Sequence, residues 1–147
     1  MWQNKFMLFE PMVLFIRKHH VLTLAVTNNL EIWVAHCFYA YDAVLNRFVF
    51  TSDDNTRHVE MAAINNKVAA GIALETKVVG NIRGIQISGR LEKPEADDYE
   101  KAKRTYLKRF PYAVLVKTSF WVLYPEHVKM TDNRLGFGKK LNWNENQ

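Results

Sequence analysis

The chain has 147 residues, 48% of them hydrophobic and 13% aromatic, with a formal net charge of +5. That is enough apolar material for a core, which excludes a disordered chain, and a length that suits one domain spanning residues 1–147. Cys37 is the only cysteine, so no intrachain disulfide can form, and a reducing cytoplasm is the natural setting.

The longest purely apolar run near the N-terminus, MVLFI at residues 12–16, is far short of the roughly 20 residues that span a bilayer. Glu10 and Pro11 interrupt the apolar N-terminal segment and no small-residue cleavage site follows it, so neither a signal peptide nor a membrane anchor is expected. Residues 10–19, EPMVLFIRKH, form a first expected helix with Pro11 in its first turn. VLTLAVT at 21–27 has the pattern of a strand, and Asn28-Asn29 that of a tight hairpin turn, because Asn tolerates positive φ. The return strand is LEIWVAHCFYAYD at 30–42, rich in aromatic and β-branched residues, and RFVFTS at 47–52 follows after a short turn.

A helix is expected over 56–66 and a strand over 67–74. Residues 81–93 alternate, with Ile85, Ile87, Gly89 and Leu91 on one face and Gln86, Ser88 and Arg90 on the other. The clearest helix is 95–110: Pro94 precedes it, acids fill its first turns, bases fill its last, and Pro111 stops it. FWVLYPEHVKM at 120–130 is a last long strand or strand pair interrupted at Pro125, and LNW at 141–143 adds a short closing strand. Short turns between the first strands favour antiparallel pairing, and no βαβ alternation or GxGxxG opens a helix after a strand. The pattern is mainly β with three helices, best met by a small antiparallel barrel.

One stretch concentrates chemistry. In TSDDNTRH, Thr51, Ser52, Thr56, Arg57 and His58 gather where a strand gives way to a helix. A helix N-terminus presents unpaired N–H groups and a partial positive charge, hydroxyls donate to phosphate oxygens, and Arg grips two at once. The arrangement suits the terminal phosphate of a nucleotide or phosphorylated cofactor. The plainer interpretation is a helix cap at Asn55 or Thr56 with a solvated Arg57 and His58. Asp53 and Asp54 count against phosphate unless their side chains point away.

Several segments together carry a resemblance. FVFTSDDNTRHVEMAAINNKVAAGI is similar to the central block of the flavin-binding split-barrel proteins, of which pyridoxamine 5′-phosphate oxidase is the best known. Thr56-Arg57-His58 stands where that block carries a Ser/Thr–Arg–Lys triplet, with His in place of the usual Lys. IWVAHCFYAYD and IRGIQISGRLE resemble two further barrel strands. YLKRFPYA and VKMTDNRLGFGKKLNW match the narrower YhbP-like family of small bacterial proteins. The similarity covers about residues 12–143.

The resemblance implies a six-stranded antiparallel Greek-key split barrel. It also implies a homodimer with two FMN sites at the interface, for which Trp33, Tyr39 and Tyr41 are available aromatics. Thr51, Ser52, Thr56, Arg57 and His58 would hold the phosphate end of FMN, and His36, Cys37 and Phe38 would lie beside the ring. Arg83 and Gly84 align with a strand region that reaches flavin in relatives. The oxidase's C-terminal Arg-rich substrate motif is missing, and LGFGKKLNW stands in its place, so pyridoxamine phosphate oxidation is not implied. The reading is an FMN-dependent oxidoreductase of unknown small-molecule or nicotinamide partner. Its alternatives are a non-enzymatic module for haem or another flavin, and a basic nucleic-acid-binding barrel.

Other residues have simpler expectations. Neighbours on a strand face opposite ways, so Cys37 is a buried small residue with no help from His36. His19 and His20 complement a helix C-terminus, and the histidines lack zinc-ligand spacing. Lys101, Lys103, Arg104, Lys108 and Arg109 form a solvated basic half-helix that makes nucleic acid the weaker alternative. Gly136 and Gly138 flank Phe137 in a tight turn or a contact near flavin.

Overall fold

The computed structural model describes residues 6–136 and 139–147. Its strands are β1 (Val21–Thr27), β2 (Ile32–Asp42), β3 (Arg47–Ser52), β4 (Lys67–Ala73), β5 (Arg83–Glu92), β6 (Ser119–Asp132) and β7 (Lys140–Asn144). The helices are α1 (Glu10–Lys18), α2 (Arg57–Ile64) and α3 (Ala96–Arg109). No described helix is long and apolar enough to cross a membrane.

Six strands close a barrel. The ladder runs β3-β2-β1-β4-β5-β6, all antiparallel, and β6 returns to β3. The sequential hairpins are broken by the β1–β4 and β3–β6 pairings, which is the Greek-key departure from a meander. On the edge away from β5, β6 serves two partners: residues 119–123 pair with β3, and residues 127–131 pair with β7. The barrel is split where β6 leaves β3 for the added strand.

Alternation selects what fills it. Leu22, Leu24 and Val26 of β1, Cys37 and Tyr39 of β2, Phe48 and Phe50 of β3, and Ile85, Ile87 and Leu91 of β5 share one interior core. Each buried Phe contributes roughly 2–3 kcal/mol of transfer free energy. β3 is buried on both faces, because Val49 belongs to a second core where Ala102, Tyr106 and Phe110 of α3 cover Ala40, Phe120 and Val122. α1 and α2 lie at opposite ends. α1 leads into Val21, whose end of β1 adjoins the Ala73 end of β4, and α2 leads into Lys67 at that strand's start.

Several sequence expectations needed adjusting. The β1–β2 connection is a four-residue loop, because Asn28 Oδ1 accepts from the N–H groups of Leu30 and Glu31. Asn29 takes the positive φ of 77°. Pro125 does not interrupt β6: Ser88 pairs with His127 and Gly89 with Pro125, so a bulge at Glu126 absorbs the missing donor. Arg109 is not a solvated end of a basic half-helix. Its guanidinium donates to the carbonyls of Tyr39, Arg17 and His19, binding the end of α3 to the end of α1. Tyr39 is not an available aromatic: it is buried and donates to Ile16 O, while Tyr41, partly buried, donates to Asn46 Oδ1.

Candidate functional site

The end of β3 and the start of α2 bring hydroxyl, imidazole and guanidinium groups together. After Ser52 the chain turns tightly: Thr56 donates to Asp53 O through both its N–H (3.2 Å) and its hydroxyl (2.9 Å). Thr56 is the N-cap of α2 by position, but its side chain does not cap the helix. The first-turn N–H groups of α2 therefore lack a side-chain acceptor. Ser52 Oγ lies 2.6 Å from His58 Nε2 and 3.2 Å from Thr56 Oγ1, and Thr56 Oγ1 lies 3.4 Å from His58 Nε2. Burial holds the His58 imidazole below its ordinary pKa of 6.5, so the ring is neutral at pH 7.

Asp54 is turned out of this cluster. Lys93 Nζ grips both its oxygens, at 3.0 and 2.8 Å, and also reaches Ser119 Oγ. The Lys93 ammonium holds the Asp54 carboxyl below the usual carboxylate range. Lys93 lies 5.4 Å from the Trp121 ring centre, and Trp121 Nε1 donates to Ser52 O at 3.1 Å. Arg57 lies over the Trp33 ring at 4.1 Å, with one edge 3.4 Å from Glu31. Half-exposed, it keeps donors available to solvent, and its exposed ion pair is weak.

Ser52, Thr56 and His58 are thus brought together, with Arg57 adjoining. Thr51 is not in the cluster: its hydroxyl meets Tyr106 beneath α3, as alternation along β3 requires. His36 and Phe38 lie on the outer face of β2. His36 Nδ1 is 2.9 Å from Thr23 Oγ1, and Phe38 meets Phe110 edge to face at 5.8 Å. Cys37 faces the core, where burial pushes its thiol up to about 11, which makes it a packing residue. Arg83 and Gly84 stand at the opposite end of the barrel, paired with Asp132 and Thr131. Phe137 and Gly138 lie outside the described residues. Sequence reasoning missed Lys93 and Trp121, which are 39 and 69 positions from the residues they hold and carry no local signal.

No family model matches the chain. A UPF0306 protein of Klebsiella pneumoniae (strain 342) is 39% identical over 129 residues, covering 88% of each chain. The chain belongs to the UPF0306 family. Another member, UPF0306 protein YhbP of Salmonella arizonae, is 37% identical over 129 residues, again 88% of each chain. Among solved structures, a haem-binding protein from Mycobacterium smegmatis superposes with a TM-score of 0.75 at 19% identity, over 90% of this chain and 55% of that one. An FAD-binding protein from Mesorhizobium loti gives 0.68 at 15% identity, over 80% and 87%. Campylobacter jejuni ChuZ gives 0.73 at 11% identity, over 96% and 62%. At these identities the likeness is one of fold, and it places this UPF0306 chain among the split barrels.

Proposed function

We propose that this UPF0306 protein binds FMN, with its phosphate at the β3–α2 junction. The observation that carries the proposal is the Ser52–Thr56–His58 cluster at an α2 N-terminus that has no side-chain cap, with Asp54 drawn away by Lys93. The Ser52 hydroxyl, the His58 imidazole, free first-turn N–H groups and the adjoining Arg57 fit the donor set of a phosphate monoester. The split-barrel neighbours that bind haem and FAD support a cofactor role for the fold. A bound flavin would supply the electron chemistry of a small-molecule oxidoreductase, and this chain's residues would bind and orient it. The proposal includes a reduced, cytoplasmic setting and a homodimer. Ile32, Val34 and Phe38 expose 78%, 50% and 58% of their surface along the outer face of β2, apolar area that a second copy would cover.

The test is an absorption spectrum followed by FMN titration of the wild type and Arg57→Ala. FMN should bind, and the variant should bind it roughly tenfold or more weakly through loss of a charge-assisted contact, with the fold intact. Unchanged affinity would remove the phosphate assignment. One observation favours a haem-binding alternative. When His36 Nδ1–H donates to Thr23, Nε2 presents its lone pair on an apolar outer face, as an axial ligand requires. A Soret band on haem addition, shifted in His36→Ala, would select that reading over the flavin one.

A further inference from the structure

The opposite end of the barrel holds a second polar–apolar arrangement that the β3–α2 junction does not use. α1 lies beside the start of β5 and the end of β6, leaving a cleft of about 210 Å³. Pro11, Leu14, Phe15 and Met130 supply its apolar wall. Lys18, Arg83, Arg134 and Asp132 supply its charge. Asp132 is fully committed: Arg134 donates to it from Nε (3.0 Å), Nη2 (2.8 Å) and its backbone N–H (3.1 Å). That pair cancels, and Lys18 and Arg83 remain.

Arg83 is the anomaly. Its Nε is buried and has no hydrogen-bond partner among the described residues. A buried guanidinium nitrogen is ordinarily satisfied, because leaving it unpaired costs the full loss of its hydration. Asp132, its cross-strand partner, acts on it only through space while both carboxylate oxygens bond Arg134. Arg83 lines the cleft beside Lys18, and an acceptor bound there would pair with its guanidinium.

We propose that the cleft beneath α1 binds a small organic carboxylate, with its carboxylate on Arg83 and Lys18 and its apolar body against Leu14, Phe15 and Met130. The Arg fork matches a carboxylate, and the apolar wall opposite selects against a fully hydrated inorganic anion. The volume is below the range of drug-sized sites, which suits a small ligand. Leu14 is 61% exposed on α1, an apolar side chain left at the rim where a ligand body would cover it.

The experiment titrates the full chain with benzoate and hexanoate by calorimetry and by amide NMR shifts, with benzamide and inorganic phosphate as comparisons. Benzoate should bind saturably with a Kd on the order of 1 mM, as befits a ligand of this size. Benzamide and phosphate should bind at least tenfold more weakly. Arg83→Gln should weaken benzoate by roughly tenfold or more. Leu14→Trp, at an exposed position that places no demand on folding, should fill the cleft and abolish binding. Absence of saturable benzoate binding would overturn the proposal. So would equal binding of benzamide or phosphate, or benzoate affinity unchanged by Leu14→Trp.

Discussion

Gly89 gives the sharpest test of the barrel's closure. A Cβ built there would lie 2.1 Å from Tyr124 O and 3.1 Å from Pro125 Cα, on the neighbouring strand. Ordinary contact begins at 3.4 Å, a shortfall of about 1.3 Å. The obstructing atoms are backbone, so no rotamer change relieves them. β5 and β6 would have to separate at the bulge that accommodates Pro125. Overpacking costs about 1–3 kcal/mol where side chains can adjust, and Gly89→Ala belongs at or above the top of that range. At roughly 2–4 °C per kcal/mol for a chain of this size, the melting temperature should fall by about 6–12 °C. Two controls grade the effect. At Gly84 the added atom would meet Ile72 O at 3.2 Å, so Gly84→Ala should cost about 1 kcal/mol or less. Nothing lies within 4 Å of a Cβ at Gly80, so Gly80→Ala should be neutral or slightly stabilising through the unfolded chain. Thermal unfolding followed by circular dichroism, at one protein concentration so that association does not intrude, reads all three. A Gly89→Ala protein melting within about 2 °C of wild type, or below-order ranking of the three variants, would refute the close approach.

Two further predictions concern titratable groups. Because burial pushes the Cys37 thiol up to about 11, a thiol reagent at pH 8 should label the folded protein far more slowly than the protein in denaturant; equal rates would place Cys37 at the surface. The folded pKa of His58 is depressed, so the unfolded chain takes up its proton first as pH falls. The stability this group contributes is present above about pH 6.5 and is lost below it, and His58→Gln should flatten that part of a urea-unfolding series over pH 5–8. Parallel pH curves for wild type and variant would show that the imidazole is not buried.

The barrel was legible in the sequence because its interior obeys a period of two. Ile85, Ile87 and Leu91 announced the inner face of β5, and the charge gradient of α3 announced its ends. Charged residues that act at long range were not legible. Arg47 is buried with its guanidinium on Asp98, 51 positions away, and Arg109 spans 90 positions to His19. From local pattern neither can be told from a solvated cation, since burial of a charge is decided by a partner that folding supplies. The junction cluster was readable where its members are neighbours, Ser52 to His58. Thr51 was misplaced within it because one step along a strand reverses the side chain. The resemblance set Arg83 and Gly84 on a strand region that reaches flavin in relatives, and the β4–β5 register puts them at the other end of the barrel from the junction.

The junction's geometry is held by residues distant from it in sequence. Trp121 fixes the Ser52 carbonyl, Lys93 draws Asp54 aside, and the same lysine lies over the Trp121 ring. Trp121 belongs to β6, which pairs with both β3 and β5, and Lys93 directly follows β5. Closing the barrel therefore sets the loop. The donors of Ser52, Thr56 and His58 are positioned when the last ladder forms, and little ordering entropy is left to oppose an incoming anion. The same closure shows how an acid-bearing loop could receive the proposed phosphate. Without Lys93, Asp54 would stand as an unpaired negative charge two residues from Ser52 and two from Thr56. With Lys93 in place, that charge is paired on the side facing Ser119 and held away from Ser52 and His58. On the proposed phosphate reading, selectivity at this junction would be a property of the barrel's closure as much as of the stretch TSDDNTRH.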